Sequence, residues 1–182
     1  TVIDGGKAAR CGQREAWPNI PAHGDTFHAL KPFLELVCYL ENRAIDALKI
    51  VDELKHKIKT PRGQWKNEDK RLTLYQKLLG AEEASKRAVS LADELRILYG
   101  WLKDDILSLI GPSYAVRKEL LKFLIEQLLL REALCKHKIE PVRKYIENHS
   151  DNLFEFVPIM EMYFSEIARE FEVPLSDILS LS

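Results

Sequence analysis

Net charge of either sign is almost absent from this chain, in which 27 Lys and Arg stand against 28 Asp and Glu for a formal charge of -1. No overall field therefore marks a nucleic acid, a membrane surface or an acidic partner, and any basic surface has to be local. Cysteine is scarce as well. Cys11, Cys38 and Cys135 are odd in number, far apart and without a CxxC pair, which speaks against a disulfide framework or a zinc knuckle and fits a reducing cytoplasm. Long apolar runs are missing too. The most apolar stretch, Leu120 to Leu130, is interrupted by Lys122, Glu126 and Gln127 and is too short to cross a bilayer. No charged-then-apolar signal segment opens the sequence, so a soluble protein without a membrane partner is expected. Glycine and proline, eight of each, are too few for a collagen-like or disordered chain.

What is present is 182 residues, 46% hydrophobic and 30% charged, enough to bury one core or a core shared by two small subdomains. The first residue is Thr1, and Thr1-Val2-Ile3 reads as the end of an apolar β run, so the chain is expected to begin inside a structural element, as a fragment would. Its organisation changes near residue 30. Before that point, Thr1 to Asp4 reads as a strand, Gly5-Gly6 as a turn, Lys7 to Trp17 as a short helix, Pro18-Asn19 as a breaker and Ile20 to Gly24 as a second strand. A parallel βαβ unit of this kind normally belongs to a larger sheet.

After it, apolar residues recur every three or four positions from Phe27 through Leu34, Cys38, Ile45 and Leu48 to Leu54, which predicts one long helix ending near Lys59, before Thr60-Pro61-Arg62-Gly63. Asn67, followed by Glu68 and Asp69, reads as the N-cap of a second helix, whose stripe runs from Leu72, Tyr75 and Leu79 to Ile106. Gly80 and Gly100 are the points where it can bend or divide. Gly111-Pro112 should end it. Ser113 then caps a helix through about His137, and Pro141 is expected to force a break before a short helix to Asn148. Asp151 to Phe171 reads as helical with a kink at Pro158, and Val173-Pro174 separates a last amphipathic turn. Trp101, Tyr99, Phe123, Phe154, Phe156, Tyr163 and Phe164 fall at helical spacings and read as core.

Two constellations could carry chemistry. Asp4 ends a predicted strand, the edge at which open α/β sheets place ligands and catalytic groups; the plainer reading of Asp4-Gly5 is a tight turn. Gly5-Gly6-Lys7 opening a helix can cradle a phosphate but lacks the P-loop spacing. Further on, His23-Gly24-Asp25-Thr26-Phe27-His28 joins a strand to the long helix. Capping by Asp25 or Thr26 explains it structurally, and a zinc site of His23, Asp25 and His28 lacks a fourth ligand.

Together these segments, Val2-Ile3-Asp4-Gly5-Gly6-Lys7, then Ala16-Trp17-Pro18-Asn19, then His23-Gly24-Asp25-Thr26-Phe27-His28, resemble the middle of DDE transposases of the insertion-sequence and Mutator-like type, which have an RNase H-like fold. Asp4 matches the second catalytic Asp. Asp25-x-x-His28 takes the place of the family's Cys-x-x-His pair, with Asp where Cys is commonest. The motif match covers about the first 31 residues. The resemblance implies a mainly α chain: residues 1–30 as a partial RNase H-like α/β core segment and 31–182 as an all-helical insertion domain. It also implies Mg2+ or Mn2+ held by a carboxylate cluster, in which Asp4 is a metal ligand, with the first Asp and the last Glu lying outside these residues. The implied activity is DNA cleavage and strand transfer by the whole enzyme, and this piece alone is expected to be inactive. The implied partners are transposon ends and target DNA, with several copies in a transposition complex, in a cytoplasmic, nucleoid-associated setting.

The residues themselves offer two places for DNA. Lys7 and Arg10 can approach phosphate or line a solvated face. The stretch from Lys55 to Arg71 gathers Lys59, Arg62 and Lys66 around Trp65, a pattern that suits backbone contact and base stacking or an ordinary solvated turn. Arg131, Lys136, His137, Lys138, Arg143 and Lys144 form a weaker cluster, and His137 and His149 read as surface residues. The rival to the transposase reading is a stand-alone helical module that binds DNA or protein without catalysis, its first 30 residues a docking arm on the helices. A phosphate-binding regulator built on Gly5-Gly6-Lys7 is the weaker third.

Overall fold

The computed structural model describes residues 2, 3, 15, 23, 24, 26–59, 68–109, 111–175 and 177. Phe27–Lys59, 33 residues without a glycine, form the first long helix, α1. Thr26 occupies its N-cap position, its carbonyl accepting the backbone N–H groups of Ala29 and Leu30. Pro32 lies in the second turn, so the only intrahelical bond it removes is the one to the His28 carbonyl. His56, Lys57 and Lys59 fill the last turn, where cations complement the helix dipole.

The second long helix, α2, is Glu68–Gly100. It runs through Gly80 without interruption, and at Gly100 it passes into a six-residue π-helical segment, Trp101–Ile106. There the Leu107 N–H reaches back five residues to the Leu102 carbonyl at 2.9 Å. Gly100 weakens the α preference locally by about 1 kcal/mol. Leu102 and Ile106 in this wider turn, and Leu107 just after it, are all buried. Then follow α3 (Tyr114–Glu132), α4 (Lys136–Asn148), the single turn α5 (Ser150–Leu153) and α6 (Phe156–Glu170).

The chain divides into two compact units, Glu35–Ile97 and a second made of Thr1–Leu34 with Leu98–Ser182. In the first unit α1 and α2 are antiparallel. Arg96 pairs with Glu41 and Lys55 with Glu82 at 2.9 Å, so in both pairs the two residue numbers sum to the same value and the register is single. Along that register Val37, Leu40, Ala44, Ala47, Val51 and Leu54 face Ala81, Ser85, Ala88, Ala92 and Leu95, all buried or half-buried. Spacings of three and four make this a coiled-coil seam, and its small residues allow close approach. Ser85, in the seam, donates to the Glu82 carbonyl of its own helix at 2.9 Å, so its burial leaves no unmade hydrogen bond. The seam is narrower than the stripe read from sequence. Leu34, Cys38, Ile45, Leu48, Leu72, Tyr75 and Leu79 are exposed, because a two-helix hairpin covers only one seam per helix.

In the other unit, two short strands, β1 (Val2–Ile3) and β2 (His23–Gly24), pair in parallel with Val2 opposite His23 and Ile3 opposite Gly24. β2 lies against α5. Two residues per strand make no sheet layer, and the fold is mainly α. α3 and α4 pack on each other through Leu121, Leu124 and Leu128 on one helix and Ile139, Val142 and Ile146 on the other, all buried.

Several boundaries differ from the sequence reading. The break expected at Pro141 falls instead at Ala133–Cys135, and Pro141 is inside α4. Arg143 closes this turn, its Nε donating to Glu132 Oε2 at 2.7 Å with both side chains largely buried. Pro158 does not kink a helix. It is the third residue of α6, where a backbone N–H would have no intrahelical acceptor. Ser113 holds the N-cap position of α3 without a side-chain cap bond. Phe154 is buried, but Trp101, Phe123 and Tyr163 are exposed rather than core. Of the predicted helix Lys7 to Trp17, Glu15 is helical and exposed; the rest, like most of the last turn, lies outside the described residues.

Candidate functional site

Asp4, Lys7, Arg10, Asp25, Arg62, Trp65 and Lys66 all lie outside the described residues. His28 lies in the first turn of α1, half-buried and engaged in a polar or ring interaction. Lys59 ends that helix, exposed. Elsewhere in the stretch from Lys55 to Arg71, Lys57 lies 3.9 Å from Glu53, and Arg71 stands over the Tyr75 ring at 5.7 Å. The Glu82 carboxylate, hydrogen-bonded to Lys55, holds that ammonium charged above its ordinary range. The described part of this basic patch is thus partly neutralised from within. The second cluster is more so: Arg143 bonds Glu132 and Glu147, and Lys144 bonds Glu140 at 2.6 Å; Arg131 keeps its charge, donating to the neutral carbonyl and side-chain oxygens of Gln127. His149 is half-buried, its ring stacked on Tyr145 at 4.3 Å.

The most constrained polar group was not singled out from sequence. Arg117, 2% exposed, donates from Nε to the Pro112 carbonyl at 2.7 Å and from Nη1 to the carbonyls of Ile106 and Ser108 at 2.8 and 2.6 Å. Its guanidinium lies 5.8 Å from the Phe156 ring centroid. Burial lowers its pKa, and the charge of Glu161 acts the other way. A fork of donors on three carbonyls locks the loop between the π-helical segment and α3, an architectural role. The close fit explains Gly111. A Cβ there would stand 2.8 Å from Arg117 Nη2 and 2.9 Å from Ser108 Oγ.

Beside this loop lies an apolar hollow of about 410 Å³ between the π-helical segment and α3. Trp101, Ile106 and Pro112 line one side, Val116, Leu120 and Phe123 the other, and Asp105 is the one charged residue in its wall. The Trp101 and Phe123 rings lie 5.8 Å apart at a 36° tilt. The signal in the sequence was the surplus of apolar residues on α3, too many for a single buried face.

Among the described residues, no group of three His, Cys, Asp or Glu could hold a metal ion, and no helix is long and apolar enough to cross a membrane. No protein-family model, curated protein or solved structure matches this chain.

Proposed function

We propose that the chain is a central piece of a DDE-type DNA transposase, a partial RNase H-like core segment in residues 1–30 followed by an all-helical insertion domain in 31–182. One observation carries the reading: a parallel pair of strands, β1 running into Asp4 in the sequence and β2 running into Asp25-Thr26 and the head of α1. Parallel strands need a crossover and further neighbours, the setting in which a carboxylate at a strand end serves phosphoryl transfer. The helical remainder agrees with an insertion in architecture. In this reading Asp4 is the shared carboxylate and Lys7, Arg10, Lys59, Arg62, Trp65 and Lys66 contact DNA in a nucleoid-associated complex of several copies. One carboxylate does not make a two-metal site, and the described residues supply no cluster to complete it. Mg2+ or Mn2+ would therefore need carboxylates from elsewhere in the full enzyme.

Reading the genomic DNA on both sides of the coding region in all frames tests this. The expected result is a strand-borne Asp upstream and a helix-borne Glu downstream. Intact unrelated genes flanking a true start and stop codon would sink it. A longer chain found in this way should nick transposon-end DNA with Mg2+ and lose that activity on Asp4→Asn.

The contact of β2 with α5 favours a second reading, a helical binding module in which the strands only dock on the helices. That module should keep its thermal stability in the 182-residue chain, with no further strands added.

A further inference from the structure

We propose that the outward face of α3, with the hollow beside it, docks a basic amphipathic helix of a partner protein; this does not depend on the transposase reading. α3 carries two faces. Arg117, Leu121, Leu124 and Leu128 are buried, while Val116, Leu120, Phe123, Gln127 and Leu130 form a second row at spacings of four, three, four and three. That is the spacing of a coiled-coil seam, here over about 21 Å of helix. The row is open: Val116, Phe123 and Leu130 are 47%, 42% and 71% exposed. A row of this kind, apolar except for Gln127, whose oxygens Arg131 already bonds, at helical spacing and beside a cavity, matches a helix-in-groove surface.

Charge selects the occupant. Asp105 stands in the wall of the hollow beside the exposed Trp101 indole, so the hollow suits a side chain with an apolar stem and a cationic end, as in Arg or Lys. Glu119 and Glu126 flank one edge of the row. Glu119 is bonded to Lys122 at 2.7 Å. Asp105 and Glu126 have no hydrogen bond or ion pair among the described residues. A second copy of this helix, packed antiparallel by a two-fold axis, would bring the same glutamate edge against itself. A partner with Lys or Arg at the flanking positions meets those carboxylates instead.

The test uses the full chain and two fluorescein-labelled helical peptides of about 18 residues, about 27 Å long, both with Leu at the seam positions. One carries Arg at the flanking positions and the other Glu. By fluorescence anisotropy at low salt, the Arg peptide should bind at least roughly tenfold more tightly than the Glu peptide. Phe123→Asp and Leu130→Asp should each weaken it by about tenfold or more, and Asp105→Lys should erase the preference for Arg. All three positions are exposed, so far-UV circular dichroism and the thermal midpoint should stay at wild-type values. A variant that fails this check is replaced by the comparison of the two peptides on the unmodified chain. Equal binding of both peptides, or of neither, overturns the proposal. So does a concentration-dependent dimer in sedimentation that Leu130→Asp dissolves, which would assign the face to a second copy.

Discussion

Arg117 satisfies three backbone carbonyls with one guanidinium, so its replacement harms more than the one contact it removes. Arg117→Met leaves the buried Ile106 carbonyl and the half-buried carbonyls of Ser108 and Pro112 without that donor and should lower unfolding stability by about 2–4 kcal/mol in urea titrations. Arg117→Lys should rescue little of it, since a single ammonium cannot span the fork. Gly111→Ala tests the same clamp from outside. The guanidinium that the new Cβ would meet at 2.8 Å is pinned and cannot swing away, so a loss of roughly 1–3 kcal/mol is expected; an unchanged denaturation midpoint would mean that the clamp is loose. At the far end of α6, Glu172 is left-handed at φ 52°, and the Val173 N–H bonds the Ala168 carbonyl at 3.0 Å. This is a glycine-type helix ending occupied by a glutamate. Glu172→Gly should therefore gain about 1 kcal/mol, raising the thermal midpoint by roughly 2–4 °C. None of this was legible beforehand. An arginine after Gly-Pro-Ser-Tyr-Ala-Val reads like any solvated cation until its neighbours fold over it.

At the level of elements, proline acts through its position. Pro141, the sixth residue of α4, removes an N–H that would reach the His137 carbonyl, whereas Pro158, third in α6, removes none that the helix could use. Pro141→Ala should accordingly stabilise the protein by about 1–2 kcal/mol, and Pro158→Ala should shift it by less than about 0.5 kcal/mol. Similar shifts for the two would refute this account. α1 and α2 were largely legible, because their apolar period and the breaker after Lys59 are local properties. The turn at Ala133–Cys135 was not. It depends on Arg143 reaching Glu132, eleven residues away, and on the pairing of two apolar faces.

For the whole molecule, the coiled-coil hairpin and the α3–α4 pack account for helices and turns without a catalytic cluster among the described residues. The chain by itself is expected to leave supercoiled plasmid intact in Mg2+; nicking that survives Asp4→Asn would remove Asp4 from any catalytic role. Of the transposase-motif and DNA-contact residues Asp4, Lys7, Arg10, Asp25, His28, Lys59, Arg62, Trp65 and Lys66, only His28 and Lys59 are described, and the hollow formed around residues read as core. Trp101 and Phe123 sit at helical spacings that core and surface share, so period alone could not assign them.

The amino-acid sequence by itself determined that this protein is mainly helical and where its first long helix begins and ends, and it holds no apolar run long enough for a helix to cross a bilayer. Those properties follow from hydrophobic period, breakers and caps, which act over a few residues. The tertiary structure alone decided which apolar rows are covered, which proline is harmless, and that one arginine of many is buried on three carbonyls. Burial depends on segments distant in the chain, and the same side chain at the same helical phase can face a neighbour or water.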